Sequence, residues 1–350
     1  MKQIKFLLIS NMYPKNDNDF FGVFIKNIED GLQSNGIDVD RIVIAGQGKS
    51  VREKIKKYFT FYREILKADF DKYDIVQISY PSHTYFPILF KRFHKTKFIV
   101  RLHGHDLIPI SLFQKIVLLF TKMSISKADM VVLPSNYFYT ELLKIGIPKD
   151  YYIYPSGGLD TQRFYPKNNT KNKTFTIGYV GRISSGKGID VLLTAVTKLD
   201  FDFELIIVGS GELEKEMKAL ASRLPKEKKI SFVGKIPNDK LVDFYNVFDI
   251  FIFPTMMNES FGNVAIEAMG CKLPIIGSNI GGLTDYIFDG INGYLFEPGN
   301  SDELADNITK FYKLSSTEKD TMAEEAYKVA MGYEKSSVTQ GFIAKLKGLL

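Results

Sequence analysis

The residue pattern predicts an α/β protein made of two doubly wound, Rossmann-like domains, and three observations carry that expectation. Short apolar runs alternate with helical patterns along the whole chain. Many of those runs are apolar on both faces, as parallel strands covered by helices should be. The 350 residues exceed one ordinary domain and suit two of about 150–180 each. With 45% hydrophobic and 25% charged residues, both can bury a core.

The elements follow in order. In the first half, strands are expected at 4–9, 39–44, 75–78, 98–102, 130–133 and 152–154, with helical patterns between them, as at 22–35 and 51–68. The opening run ends at Ser10, far short of a signal-peptide core, and reads as the first strand. A polar, turn-rich bridge from Pro155 to Lys173 separates the halves. Beyond it, strands are expected at 176–180, 204–208, 230–232, 250–253, 275–276 and 293–296. Helices at about 189–198, 212–223, 238–247, 263–270, 282–288 and 301–312 alternate with them. Met331-Gly332-Tyr333 interrupts two helical stretches. The expected domains are 1–168, joined by a returning helix at about 334–350, and 169–333.

No run approaches the ~18 apolar residues of a membrane span. The lone Cys271 forbids an internal disulfide and suggests a reducing cytosol. Net charge is +6, unevenly placed. Residues 1–168 hold 25 Lys/Arg against 16 Asp/Glu, and residues 169–350 hold 21 against 24. A basic first half suits an acidic partner, and on charge alone phospholipid, a phosphate-linked acceptor and nucleic acid all fit. The helix pattern from Val51 to Lys67 has six cations against two acids, with Ile55, Tyr58, Phe59, Tyr62, Ile65 and Leu66 on one face. Such a helix can lie on an anionic membrane surface, or pack that face on its own sheet. No recognition motif accompanies the charge, so nucleic acid is not expected.

The chemistry concentrates at Asn258-Glu-Ser-Phe-Gly-Asn-Val-Ala-Ile-Glu-Ala-Met-Gly270. An apolar strand leads into it and a helix leaves it, opening at Phe261, Gly262 and Asn263. Free backbone N–H groups and a positive dipole end there favour an anion. Glu259 precedes the helix, and Glu267 lies about one and a half turns in. An anion on the helix start, with two acids accepting hydroxyls beside it, describes a phosphorylated sugar.

Upstream, Gly181-Arg-Ile-Ser-Ser-Gly-Lys-Gly188 follows a strand, and its Arg182 and Lys187 offer two positive charges. It resembles a Walker A loop, but Gly188 stands where a Ser or Thr would bind Mg²⁺. The arrangement suits a diphosphate neutralised by side chains without metal. Val208-Gly-Ser-Gly-Glu212 lacks the third glycine of a dinucleotide loop. Asp-x-Asp triplets start at 17, 38, 69 and 200, too often to mark a metal site.

These stretches together resemble the retaining glycosyltransferases of family 4, which have the GT-B fold. The likeness extends through Phe232-Val-Gly-Lys-Ile-Pro237, Pro254-Thr, Gly281-Gly282 and Asn292-Gly-Tyr-Leu-Phe296. It implies that Arg182 and Lys187 grip a donor diphosphate, Glu259 touches the donor sugar and Glu267 takes the ribose hydroxyls. It also implies that Phe261, Gly262 and Asn263 face sugar and phosphates, with the base near Lys235 and Ile236. In the first domain the segment Phe20-Phe-Gly22-Val-Phe occupies the place of the family's glycine loop, which puts Gly22 beside the donor. Arg101-Leu-His-Gly-His-Asp106 resembles the family's His-Gly-x-Asp segment. His103 would then reach the donor sugar or the developing charge, while His105 and Asp106 would shape the acceptor pocket. Gly157-Gly-Leu-Asp160 and Asp285 depart from the family's usual linker and acid.

The expected activity is metal-independent retaining transfer of a hexose-type sugar (EC 2.4), from a nucleotide-diphosphate donor such as a UDP-sugar. No cofactor and no metal are implied. The acceptor is expected to be lipid-linked or a saccharide, in cell-surface polysaccharide assembly at the cytoplasmic face of the membrane. A soluble acceptor, a nucleotide-sugar epimerase and a non-catalytic sugar-nucleotide binder are the alternatives.

Overall fold

The computed structural model describes residues 3–16, 21–48, 50–104, 106–107, 112–146, 150–155, 157–167, 174–225 and 228–350. Two compact units result: Met1–Gly158 with Ser336–Leu350, and Leu159–Lys335.

The first unit holds six parallel strands: β1 (Lys5–Tyr13), β2 (Asp38–Ala45), β3 (Ile75–Ser79), β4 (Lys97–Arg101), β5 (Met130–Leu133) and β6 (Tyr151–Ile153). Their order is β2-β1-β3-β4-β5-β6, so the winding direction reverses between β1 and β3. The period-2 alternation of a strand fills both faces. Leu7 and Ile9 of β1 pack with Phe61, Ile65 and Phe98 on one side. Phe6 and Leu8 pack with Ile25, Ile28 and Phe342 on the other. Each such side chain contributes roughly 1.5–3 kcal/mol by leaving water.

The second unit repeats the plan with β7 (Phe175–Val180), β8 (Phe203–Val208), β9 (Lys229–Gly234), β10 (Ile250–Phe253), β11 (Ile275–Ser278) and β12 (Gly293–Phe296). The order β12-β11-β10-β7-β8-β9 is the dinucleotide-fold order, with its switch point between β7 and β10. The expected helix at 212–223 narrows to Glu214–Ala221, and that at 282–288 is a 3₁₀ turn over Gly281–Asp285.

The division between units falls earlier than 168/169. Leu159 N–H donates to Tyr333 O (2.6 Å) and Lys335 N–H to Leu159 O (2.9 Å). Leu159 and Phe164 are buried in the second unit's core, so two apolar residues hidden in a turn-rich bridge move the boundary. The last helix, Lys335–Leu349, buries Thr339, Phe342, Ile343 and Leu346 against the first unit. Among the described residues no helix is long and apolar enough to cross a membrane.

Candidate functional site

In an open parallel sheet, ligands bind beyond the carboxyl ends of the strands at the switch point. In the second unit that point is bordered by the loop after β7, carrying Arg182 and Lys187, and the loop after β10, carrying Thr255 and Glu259. The two loops are tied together: Met256 N–H donates to Gly186 O (2.8 Å). Lys187 Nζ donates to Glu259 Oε1 in a largely buried ion pair. Thr255 Oγ1 lies 3.2 Å from that same oxygen. Arg182 is exposed, and its carbonyl accepts the Tyr179 hydroxyl at 2.9 Å.

Gly188 explains the absence of a Walker hydroxyl. Its φ is +69°, and a Cβ there would sit 1.7 Å from the Pro254 carbonyl oxygen. No side chain fits, so the position cannot supply a metal ligand. Behind Glu259, the backbone of the glycine pair presses close. Gly282 N–H donates to Glu259 O (2.8 Å), and a Cβ on Gly281 would come within 2.8 Å of Glu259 N and O.

Helix Asn263–Gly270 starts at Gly262, with no side chain capping it. Tyr286 Oη donates to Phe261 O (2.7 Å) and fixes the chain entering that helix. Phe261 is buried and Asn263 exposed. One and a half turns on, Glu267 accepts the Tyr245 hydroxyl at 3.0 Å. Burial pushes its carboxyl up to about 7, while Tyr245 and the charge of Arg163 pull it back. Lys235 and Ile236 directly follow β9; Lys235 is exposed and Ile236 half-buried.

In the first unit, Gly22 caps helix Val23–Ser34 with φ +75°. A Cβ there would be 2.6 Å from Met12 C and Tyr13 N, a close crossing that requires glycine. Phe20 and His105 lie outside the described residues. His103 follows β4 with its ring stacked on Tyr80 at 4.2 Å and 14°, and Phe24 lies on it at 5.1 Å. Burial, then the charge of Arg101, hold the imidazole well below its ordinary pKa, so it is neutral at pH 7.

Asp106 is 2% exposed. One carboxylate oxygen accepts the His103 N–H (3.1 Å) and the other the Ser82 hydroxyl (2.7 Å). Burial raises it to about 6 against these hydrogen bonds. The carboxylate is therefore a brace for the His103 loop. A separate cavity of about 340 Å³ opens beside β1 and β2, lined by Asn11, Met12, Phe21, Gln47, Lys54 and Tyr58; neither His103 nor Asp106 reaches it. Among the described residues no three His, Cys, Asp or Glu are placed to hold a metal ion.

The sequence reading missed Tyr80, Ser82, Tyr179, Tyr245 and Tyr286. A tyrosine inside an apolar pattern reads as core; only the hydroxyls of Tyr179, Tyr245 and Tyr286, aimed at a loop carbonyl or an acid, and the ring of Tyr80 against His103 mark the roles.

Residues 160–329 match the family described as Glycosyl transferases group 1, and residues 22–163 match Glycosyltransferase Family 4. The chain is 32% identical over 173 residues to the capsular polysaccharide biosynthesis glycosyltransferase CapM of Staphylococcus aureus, covering 44% of this chain and 43% of that one. It is 29% identical over 241 residues to the lipopolysaccharide 1,2-N-acetylglucosaminetransferase of Salmonella typhimurium, covering 62% and 61%. The chain thus spans about half the length of the curated relatives it matches. Among solved structures, sucrose-phosphate synthase from Thermosynechococcus elongatus superposes with a TM-score of 0.81 at 18% identity, covering 99% of both chains. Anabaena Alr3699/HepE in complex with UDP-glucose gives 0.74 at 18% identity, covering 99% of this chain and 100% of that one. At such identities the likeness is one of fold, the GT-B arrangement of two Rossmann-like sheets.

Proposed function

The chain belongs to the glycosyltransferases of group 1 and family 4, and we propose that it moves a hexose-type sugar from a UDP-sugar to a lipid-linked or saccharide acceptor, with retention. The setting we assign is cell-surface polysaccharide assembly, worked from the cytoplasmic side. The observation that carries this reading is the switch-point cluster of Lys187, Glu259 and the uncapped start of helix Asn263–Gly270. The names of the capsular and lipopolysaccharide relatives, and the UDP-glucose bound by the Anabaena neighbour, support donor and setting.

In this mechanism the bond from the sugar's anomeric carbon to the β-phosphate oxygen breaks, and one to the acceptor oxygen forms on the same face. The acceptor's proton passes to the departing phosphate. Negative charge grows on the diphosphate, and Arg182, Lys187 and the amides near Gly262 are placed to stabilise it. With two cations and a helix terminus in that role, the proposal requires no metal. Glu259 orients the sugar, Glu267 accepts the ribose hydroxyls, and Lys235 and Ile236 flank the base. Gly22 lets backbone approach the donor. His103, neutral, serves as a hydrogen-bonding group for the sugar, braced by Asp106; His105 is left to the acceptor.

Thermal-shift measurements with UDP, GDP, ADP and their sugars, with and without EDTA, test the donor site. Stabilisation by one nucleotide family, indifferent to EDTA and lost in Arg182→Ala, is expected. A shift that demands a divalent cation, or none with any nucleotide, refutes the assignment. The anomeric configuration of the product, read by proton NMR, tests retention.

A further inference from the structure

Helix Val51–Lys67 divides its apolar residues between two stripes. At about 100° per residue, Phe61, Ile65 and Tyr58 lie on one arc, and Ile55, Phe59, Tyr62 and Leu66 on another roughly 100° round. The first stripe is the anchor: Phe61 and Ile65 are buried in the first unit's core. The second is turned outward at three of its four residues, with Ile55 65%, Phe59 70% and Leu66 48% exposed, while Tyr62 at its edge is half-buried against the core. That is far more apolar surface than packing on its own sheet needs.

The outward stripe continues beyond the helix. Tyr62 meets Phe86 at 6.1 Å, and Phe86 meets Phe90 and Phe120, each at 6.0 Å. Phe90 is 70% exposed, and Leu119 and Met123 are exposed on the helix that carries Phe120. Large aromatic and aliphatic groups thus form one outward strip crossing three elements, of the kind that marks an interaction surface.

Charge identifies the partner. Arg52, Arg63, Lys56 and Lys67 fall at roughly 60–120° on the same wheel, immediately beside the exposed stripe. All four are exposed and have no hydrogen-bond or ion-pair partner among the described residues. The helix's two acids, Glu53 and Glu64, fall on the far side, at roughly 160–180°. An apolar stripe edged by unpaired cations on long stems is the pattern of a helix lying in a lipid headgroup layer, where Lys and Arg reach out to phosphates. A second copy meeting this face about a two-fold axis would bring the same four cations of each chain together, which disfavours self-association.

We propose that the strip formed by Ile55, Phe59, Leu66, Phe86 and Phe90, with its edge of Arg52, Lys56, Arg63 and Lys67, docks the chain on an anionic phospholipid leaflet. This deepens the lipid-linked side of the functional reading but stands on separate observations, so either can fail alone.

The chain contains no tryptophan, so a single Phe59→Trp or Phe90→Trp in the full chain reports without background. Vesicles of phosphatidylcholine with phosphatidylglycerol should shift its emission to the blue, and brominated acyl chains should quench it. Phosphatidylcholine alone should do so weakly, and high salt should reverse it. Ile55→Ser with Phe59→Ser should lower vesicle partitioning roughly tenfold or more. Arg52→Glu with Lys56→Glu should lower it at least tenfold on anionic vesicles only. Retained thermal stability shows that these exposed variants still fold. An emission unmoved by vesicles overturns the proposal. So does equal binding to neutral vesicles at any salt. A blue shift without lipid, accompanied by a dimeric mass, assigns the strip to a second copy instead.

Discussion

Replacing Glu267 with Gln is expected to make the fold more stable above neutral pH while weakening donor binding. Burial is the main cause that lifts the Glu267 carboxyl from an ordinary 4.5 to about 7. A group whose pKa rises on folding holds its proton more tightly in the folded chain. Its contribution to stability is therefore full below about pH 4.5 and is lost as pH climbs through about 7. The gap of about 2.5 pH units, at about 1.4 kcal/mol each, corresponds to roughly 3 kcal/mol at about pH 8. The amide of Gln escapes that penalty and still accepts the Tyr245 hydroxyl. Urea unfolding of both proteins from about pH 4.5 to about pH 8.5 measures it: the advantage of Glu267→Gln should grow by roughly 3 kcal/mol across the range. If ribose hydroxyls donate to the carboxylate, UDP should bind the parent more tightly as pH rises towards about 7, by up to about tenfold per pH unit, and the variant should lose that dependence. Unfolding curves that stay parallel across pH would refute the burial argument. A UDP affinity with equal pH dependence in both proteins would remove Glu267 from the nucleotide site.

Four further outcomes are expected. Gly188→Ser, which would complete a Walker A motif on paper, should cost about 3 kcal/mol or more, from left-handed strain and collision with Pro254 O; a urea midpoint equal to the parent's would contradict it. Arg182→Ala should weaken UDP binding about 10–100-fold by calorimetry, leaving the unfolding midpoint of the free protein unchanged, because its side chain is exposed. Tyr286→Phe should cost about 1–2 kcal/mol by orphaning the buried Phe261 carbonyl, and nucleotide binding should fall with it. Ser82→Ala removes a hydrogen bond that lowers the Asp106 pKa, so Asp106 should titrate above about 6; the acid side of the transfer pH profile should then move upward, and an unmoved profile would deny the brace.

The loops after β7 and β10 were legible because their chemistry is written locally. Two cations within a glycine loop, and two acids eight positions apart across a helix start, are short-range patterns, and the structure brings Lys187 and Glu259 into contact. Strand positions were legible for the same reason, since both-face burial leaves continuous apolar runs such as Ile250-Phe-Ile-Phe253. What stayed hidden depends on distant partners. Asp106 was expected to shape the acceptor pocket, but its carboxylate is turned to Ser82, 24 positions earlier, and to the His103 N–H. Leu159 and Phe164 sit in a segment whose composition reads as linker, and only the core of the second unit assigns them. Helix Val51–Lys67 reads as one broad apolar face, because the wheel cannot tell which part of a wide arc the sheet covers.

The Lys187–Glu259 pair has a consequence for selectivity. In the unliganded protein each charge is the other's counter-ion, so a bare anion such as inorganic phosphate can take Lys187 only by stranding a largely buried carboxylate. A ligand that brings a diphosphate for the lysine and hydroxyls for the glutamate leaves neither unsatisfied. On the proposed reading the site is expected to behave as a two-key lock, taking sugar and phosphate jointly and staying self-neutralised against phosphate alone.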